Sequence, residues 1–325
     1  MAVGGQAVLE GVMMRSPHAM AVAVRRPDGT VILKDEAYHS LAERYPALKR
    51  PFLRGPVILI EAMVTGVKAL TFSAQAALQE EGDAPGEEPL GWGSMALTLG
   101  GAFLMAFLFF GFLPHWLSGK AGYLVGRPLT PADFTFHVID GIIKATFLML
   151  YIWGISFFPD IRRVFEYHGA EHKSICTFEA GEELTVANTR LHPTAHARCG
   201  TSFILVVLLV SILIFTVFFP LFPALTRRGL ANNFLQVVIK VGLMFPIAAL
   251  SYEIIRWGGK HCRHPLARIF LWPGLVTQRL TALEPDDSQL EVALEALKAV
   301  LAREEHPLPE GQTAGDSLAC AECGH

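Results

Sequence analysis

Residues 201–225 read TSFILVVLLVSILIFTVFFPLFPAL, a run in which no side chain carries a charge. A helix of about 20 apolar residues is long enough to cross the hydrocarbon core of a bilayer, so this stretch predicts a membrane-spanning helix. The composition agrees, because 52% of the 325 residues are hydrophobic and only 18% are charged, which is more apolar than an average soluble protein. The chain is therefore predicted to be a mainly α-helical integral membrane protein.

Three other stretches are apolar enough to cross a bilayer, which brings the prediction to about four transmembrane helices. One of them carries Asp140 and Lys144, four residues apart. Charges inside a membrane are costly and often functional, but mutual pairing or snorkelling to the outer surface explains these two equally well. The three stretches are Ser94 to Leu113, about Phe136 to Phe158, and about Phe234 to Tyr252.

Basic residues beside the spans predict the orientation. They follow the second span at Arg162 and Arg163, and the fourth at Arg256, Lys260, Arg263 and Arg268. Short cytosolic loops are enriched in Lys and Arg. Both termini and the loop between the second and third spans are therefore predicted to be cytosolic, in a multi-pass protein.

The sequence divides into seven predicted regions. They are a cytosolic N-terminal region with a β-hairpin (1–56), an amphipathic helix with an acidic linker (57–91), two spans (92–158), a cytosolic histidine-rich loop (159–200), two further spans (201–256), an interfacial segment with an amphipathic helix (257–304), and a flexible tail (305–325). The tail contains Cys320, Cys323 and His325, whose role is left open.

Local patterns support this division. The β-prone runs His18 to Arg25 and Thr30 to Lys34 flank Arg26-Pro27-Asp28-Gly29, which predicts a hairpin. Val57 to Ala74 collects its few polar side chains on one helical face, which is typical of a helix in the membrane interface. Asp286 to Arg303 is predicted to be an amphipathic helix.

The clearest chemical pattern is Tyr167-His168-Gly169-Ala170-Glu171-His172. A helix begun at Pro159 would place His168, Glu171 and His172 on one face. Two imidazoles one turn apart can chelate Zn²⁺, and the carboxylate can bind the ion or act as a base. The spacing matches the His-x-x-Glu-His of inverted zinc peptidases, and the alternative is a pair of ordinary hydrogen-bonded histidines. Further ligands are available at His192, His196 and Cys199.

These motifs resemble the YqhQ family of bacterial membrane proteins, a family labelled as a domain of unknown function and predicted to be metal-dependent enzymes. The matching segments are Gly4 to Arg15, Lys49 to Gly55, Glu166 to Lys173, Gly181 to Val186, His196 to Phe203 and Pro273 to Glu291. The resemblance implies a place in the bacterial inner (plasma) membrane and a suspected metal, and the spacing to Arg198-Cys199-Gly200 favours His196 over His192. The candidate metal ligands are then His168, His172, His196 and Cys199.

Two functions are predicted as alternatives. The first is a metal-dependent hydrolase at the cytosolic membrane surface, with zinc as the divalent metal and Glu171 as the catalytic base. The second is a non-catalytic scaffold, assembly factor or translocation accessory with structural histidines, favoured if Cys199 completes a set of four ligands. The expected partners are the lipid bilayer and, for a scaffold, other membrane proteins or further copies of the chain. A net charge of −3 gives no reason to expect nucleic acid.

Overall fold

The computed structural model describes residues 3–78, 92–123, 126–127, 129–196, 199–222, 230–261 and 264–304. The predicted acidic linker, the C-terminal tail with Cys320, Cys323 and His325, and the basic residues Arg198 and Arg263 lie outside the described residues. The described chain is mainly helical with a small antiparallel sheet near its N-terminus. The predicted fold class is confirmed in this coarse form.

The sheet contains β1 (Gly4–Val8), β2 (Gly11–Arg15), β3 (Ala19–Arg25) and β4 (Val31–Ala37), each antiparallel to the next. The β3–β4 pair is the predicted hairpin, and its turn holds Gly29 at a φ of 88°. The β1–β2 hairpin was not predicted. Its turn places Glu10 at a φ of 51°, a left-handed conformation that is uncommon for a residue other than glycine.

The helices follow in chain order. They are α1 (Leu41–Arg44), a 3₁₀ turn (Pro46–Lys49), α2 (Arg54–Leu78), α3 (Trp92–Ala106), a π-helical segment (Phe107–Phe112), α4 (Leu113–Ala121), α5 (Phe134–Ile155), α6 (Pro159–Glu179), α7 (Val186–Arg190), α8 (Gly200–Leu221), α9 (Leu230–Lys260), α10 (Pro265–Thr281) and α11 (Asp287–Glu304). The predicted amphipathic helix from Asp286 is confirmed as α11, which buries Leu290, Leu294 and Leu297.

The chain forms two compact units. Unit 1 consists of Met1–Ala84, Trp153–Val206 and Tyr252–His325, and unit 2 of Pro85–Ile152 and Val207–Ser251. In unit 1 both faces of the sheet are covered. Side chains alternate along a strand, so Val12 and Met14 face α6 and α11, while Met13 and Val22 face α2.

Helix α2 has two different sides. One side lies along the sheet, where buried Glu61 accepts hydrogen bonds from the hydroxyls of Tyr38 and Ser40, both at 2.9 Å. The other side exposes an apolar stripe at Ile60, Met63, Val64, Val67 and Leu70. Of the three polar residues that the sequence placed on one helical face, Glu61 and Thr65 are buried and Lys68 is exposed.

Among the described residues, five helices are long and apolar enough to cross a membrane. Four correspond to the predicted spans, namely Gly100–Ala121, Phe134–Ile155, Gly200–Leu221 and Leu235–Lys260. The fifth, Arg54–Ala77, is α2. Length and composition alone therefore add one candidate to the four predicted spans.

Candidate metal centre

Helix α6 carries the predicted histidines, and it begins at Pro159 as predicted. Proline suits the first turn, because its missing N–H is not needed there. The guanidinium of Arg163 holds both carboxylate oxygens of Glu10 at 2.5 Å, and Tyr167 is fully buried. These contacts fasten α6 to the tip of the β1–β2 hairpin.

Gly169 brings a second chain segment onto α6. A Cβ atom added at Gly169 would lie 1.8 Å from the carbonyl oxygen of Leu283, so no other residue fits there without a shift of the backbone. The amide of Leu283 in turn donates to the carbonyl of Phe165 at 3.0 Å. The close approach places the end of α10, with the carbonyl of Thr281, beside His168.

Three side chains converge at this point. One ligand atom from each of His168, His172 and Cys199 can be chosen so that all three lie within 4.8 Å of one another. The Nε2 atom of His168 is 3.1 Å from the Sγ atom of Cys199, and the two imidazole rings are 4.4 Å apart between centroids. The structure thus brings the two halves of the histidine-rich loop together.

Both imidazoles are oriented by backbone carbonyls. Nδ1 of His168 lies 2.6 Å from the carbonyl oxygen of Thr281, and Nδ1 of His172 lies 2.5 Å from that of Thr194. A carbonyl only accepts hydrogen bonds, so each Nδ1 carries the proton and donates it. A neutral ring then offers the lone pair of Nε2, which is how metal-binding histidines are usually fixed.

Cys199 is placed to be a thiolate. It directly precedes α8, and the amide of Thr201 lies 3.4 Å from its Sγ. Burial by itself raises the pKa of the Cys199 thiol, but the imidazoles of His168 and His172 outweigh burial and hold this pKa well below its usual range. Burial likewise opposes charge on His168, whereas the sulfur of Cys199 raises the pKa of His168 to about 9.

Glu171 lies beside these three residues. It is 5% exposed, and its Oε2 is 3.9 Å from Nε2 of His168. A Cβ atom at Gly5 would lie 2.7 Å from Cγ of Glu171, so the glycine in β1 makes room for this side chain. The predicted base is therefore buried and within reach of the candidate ligands.

The remaining predicted candidates occupy other positions. The backbone of His196 is held by Gln278, whose Oε1 accepts from the His196 amide at 2.8 Å and whose Nε2 donates to its carbonyl at 2.9 Å. The ring of His196 is 5.6 Å from that of His172, and its Nε2 is 3.6 Å from Glu179. His192 pairs instead with Glu182 at 3.0 Å.

Some contributors could not be found from the sequence. The carbonyls of Thr194 and Thr281 act through backbone atoms, which carry no residue signal. Gln278 was a polar position within a segment predicted to be interfacial, and it is 1% exposed. Glu253 forms an ion pair with Arg54, which is distant in the sequence.

The donor set fits a zinc-like ion. Imidazole nitrogen and thiolate sulfur are the preferred zinc ligands, and a catalytic zinc typically has three protein ligands and one open position. His172 and Cys199 supply donors from buried positions, and His168 supplies one from a half-buried position. A carboxylate beside such an ion, in the position of Glu171, could act as the base of metal-assisted hydrolysis.

Comparisons with known proteins identify a family. The family described as "Protein of unknown function (DUF1385)" matches residues 50–303. The chain is also similar to the uncharacterized protein YqhQ of Bacillus subtilis, with 34% identity over 312 residues that cover 92% of each chain. No solved structure matches. The resemblance to YqhQ proteins is thereby confirmed, and the chain belongs to the DUF1385 family.

Proposed function

We propose that this protein is a metal-dependent hydrolase of the bacterial inner membrane, with its active site at the cytosolic surface. The observation that carries the proposal is the convergence of His168, His172 and Cys199 beside the buried carboxylate of Glu171. In the proposed centre the three residues hold a divalent ion, zinc by donor type. A bound ion of this kind supplies Lewis acidity and lowers the pKa of coordinated water.

The chain's own residues provide the remaining chemistry. Glu171 takes a proton from the attacking water at its carboxylate and returns it to the leaving group. Its burial excludes bulk water and strengthens its interaction with a neighbouring positive charge. The carbonyls of Thr194 and Thr281 keep the rings of His172 and His168 aimed inward.

The proposed topology has four spans and cytosolic termini, with α2 lying in the plane of the membrane surface. Helix α2 contacts the sheet from Glu61 to Ala76, and the sheet's last strand exposes Lys34 and Asp35. Charged side chains of that kind are costly in hydrocarbon, so a helix packed against this sheet is not surrounded by lipid. Its apolar stripe is the part that contacts lipid.

One observation favours a structural centre instead. The ring of His196 is next to that of His172, and a small rotation toward the cluster would supply a fourth ligand. A zinc site closed by four protein ligands is structural. The protein would then be a scaffold or assembly factor whose histidines hold its cytosolic part together.

Metal analysis tests the shared part of both functions. The full chain, purified in detergent without chelators, is expected to contain one equivalent of metal, and His172→Ala is expected to remove it. His192→Ala is the matched control, because His192 belongs to the same loop but pairs with Glu182. A wild-type protein without stoichiometric metal would refute the centre.

A hydroxamate separates hydrolase from scaffold. Cobalt-substituted protein should change its visible spectrum on addition of acetohydroxamate if a coordination position is open. Glu171→Gln should keep the cobalt but bind acetohydroxamate more weakly, since the glutamine cannot take up the proton that acetohydroxamate loses on binding the metal. A spectrum that does not respond to acetohydroxamate indicates a closed centre and favours the scaffold.

Reporter insertions test the topology. Reporters at Gly29 and Ser288 are expected on the cytosolic side, and a reporter at Gly122 on the opposite side. If α2 crossed the membrane, the reporters at Gly29 and Ser288 would lie on opposite sides. That result would replace four spans by five.

A further inference from the structure

Unit 2 contains a second group of titratable side chains, none of which belongs to the candidate metal centre. They come from three helices, with His115 on α4, His137, Asp140 and Lys144 on α5, and Lys240 on α9. The neighbouring part of α8 contributes the aromatic rings of Phe215 and Phe219. Ionisable residues inside apolar helices are costly and usually functional.

Asp140 is the most deeply buried charge of this group, at 3% exposure. Its Oδ2 accepts from Nζ of Lys144 at 2.5 Å, one helical turn away. Its Oδ1 is also buried and has no hydrogen-bond partner among the described residues. A buried carboxylate oxygen without a donor is expensive, so this oxygen requires a donor from outside the described side chains.

Lys240 is the counterpart of Asp140, because it is a hydrogen-bond donor that needs an acceptor. Its Nζ is 3.5 Å from Nδ1 of His115 and lies over the rings of Phe215 and Phe219, 5.7 and 5.6 Å from their centroids. Within the described part of the chain no carboxylate forms a salt bridge with it. The cluster therefore has two ammonium groups for one carboxylate, a donor in excess on Lys240 and an acceptor in excess on Asp140.

His137 is the other histidine of this group, and its ring is held by contacts of its own. Its Nε2 lies 2.8 Å from the carbonyl oxygen of Pro131, and its ring stacks on Phe219 at 5.5 Å. The ring is therefore fixed by a hydrogen bond and by stacking. Among the described residues, the contacts of the His115 ring are an edge contact with Phe136, at 4.9 Å between centroids, and the contact with Lys240.

We propose that Asp140, Lys144, Lys240 and His115 form a hydrated proton-exchange site within the membrane-embedded part of the protein. Its ligand is water, bound between Asp140 and Lys240. A water molecule donates one hydrogen bond to Oδ1 of Asp140 and accepts one from Nζ of Lys240, which removes both deficits. Water in proteins occupies sites that offer it two to four polar partners.

The exchange step moves one proton and no electrons. Nζ of Lys240 releases a proton to the lone pair of Nδ1 of His115, so the ammonium becomes an amine and the imidazole becomes an imidazolium. His115 then passes its Nε2 proton to a second water molecule, which leaves as hydronium, and Lys240 recovers its proton from a hydronium ion that reaches the bound-water position, so that no hydroxide remains. The neutral imidazole returns to the Nε2–H tautomer by proton exchange with water, which frees Nδ1 for the next transfer. The Asp140–Lys144 pair keeps its countercharge throughout the cycle.

The positions of Asp140 and Lys144 along α5 place the site within the hydrocarbon core if α5 crosses the membrane. Asp140 lies about 9 Å and Lys144 about 15 Å along the helix from Phe134, and a bilayer's hydrocarbon core is about 30 Å thick. This inference rests only on the proposed membrane insertion of unit 2. It does not depend on the metal centre, so each can fail without the other.

Water-edited solid-state NMR tests the site in the full chain, reconstituted in lipid vesicles with ¹⁵N-labelled lysine and histidine. Polarisation from water should reach Nζ of Lys240 and the ring of His115 as quickly as it reaches the exposed ring of His39. Variants Lys240→Met and His115→Gln assign the two signals. The His115 signal should also change from neutral to protonated as the pH is lowered.

Asp140→Asn is the decisive variant, and Lys120→Gln is its control. The asparagine keeps the size of the side chain but removes the countercharge, so water transfer to Lys240 should be lost. Lys120 is an exposed residue of the same helix as His115, and its replacement should change neither signal. The proposal would be overturned if Lys240 of the wild-type protein received no polarisation from water. It would also be overturned if the His115 ring kept one protonation state at every pH.

Discussion

Two pairs of histidines in the described chain have buried or half-buried rings, and the two pairs have opposite kinds of neighbours. His168 and His172 have a carbonyl at each Nδ1 and share the sulfur of Cys199. His115 and His137 lie among ammonium groups and aromatic rings. A thiolate attracts a metal cation, whereas two lysines repel one, so we propose histidine as a metal ligand in the first group and as a proton carrier in the second.

Spacing alone does not reveal this difference. His168 and His172 are four residues apart on α6, and Asp140 and Lys144 are four apart on α5. In each pair, the two residues lie on the same side of their helix. Only the residues brought in from distant segments, Cys199 for the first and Lys240 for the second, decide what each pair can bind.

The largest expected effect comes from removing the thiolate. Cys199→Ser should lower zinc affinity by more than the 10- to 100-fold typical of losing a residue that merely orients a ligand. The cobalt-substituted protein should lose its sulfur-to-metal charge-transfer band. His115→Gln combined with His137→Gln should leave zinc content unchanged, and a loss of zinc in that variant would erase the distinction between the two groups.

A smaller effect is expected from Gln278→Ala. The variant removes the side chain that accepts from the buried His196 amide and one of the two donors to the His196 carbonyl. This loss costs about 1 to 3 kcal/mol and should weaken zinc binding about 10- to 100-fold. Thermal unfolding and competition with a zinc chelator measure the two effects. Gln289→Ala is the control, because it also empties a fully buried hydrogen-bonded position in unit 1.

For Gln289→Ala we expect a comparable loss of stability with unchanged zinc affinity. If both variants weaken zinc binding equally, Gln278→Ala acts through a general loss of stability of unit 1, and Gln278 has no specific role in supporting the metal centre.

Zinc binding should also depend on pH. Near Cys199 the pKa of His168 is raised to about 9, so the metal-free protein holds a proton at neutral pH that the ion must displace. Affinity should therefore rise as the pH is raised toward 9 and level off above it. Chelator competition at several pH values measures how the zinc affinity changes with pH. An affinity independent of pH would show that the ion displaces no proton from His168.

The smallest effect concerns the packing around the membrane cluster. A Cβ atom at Gly141 would lie 2.3 Å from Cδ1 of Ile212, the flexible end of a side chain. Gly141→Ala should cost about 1 to 3 kcal/mol, and Ile212→Val should restore part of the loss in the double variant. Denaturation in mixed micelles measures both, and the water contact of Lys240 should persist in the double variant.

Much of the fold could be predicted from local patterns. The apolar runs indicated the long helices, Pro159 marked the start of α6, and Pro27-Asp28-Gly29 marked the β3–β4 hairpin. These signals lie within a few residues of the structure that they specify. The β1–β2 hairpin lacked such a signal, because its turn relies on Glu10 in a left-handed conformation stabilised by distant Arg163.

The candidate site was predictable only in part. The helical spacing selected His168, Glu171 and His172, and the structure brings Cys199 to them. Choosing among the loop residues needs the path of the chain, which Gly169 and Gln278 set through contacts with Leu283 and His196. Likewise, nothing near Glu253 in the sequence indicates that its partner is Arg54, 199 residues earlier.

The covering of the sheet has a consequence for synthesis in the cell. Strand β4 ends at Ala37, whereas α11, which covers one face of the sheet, begins at Asp287. At about 5 to 20 residues per second, the roughly 250 intervening residues take about 12 to 50 seconds to translate. During that time the ribosome synthesises every described helix that is apolar enough to cross a membrane, while Val12, Met14 and Ala21 still lack the part of their cover that α11 supplies. The nascent sheet therefore needs temporary shelter from a chaperone or from the membrane surface, and a chain truncated before α11 should be removed by proteolysis.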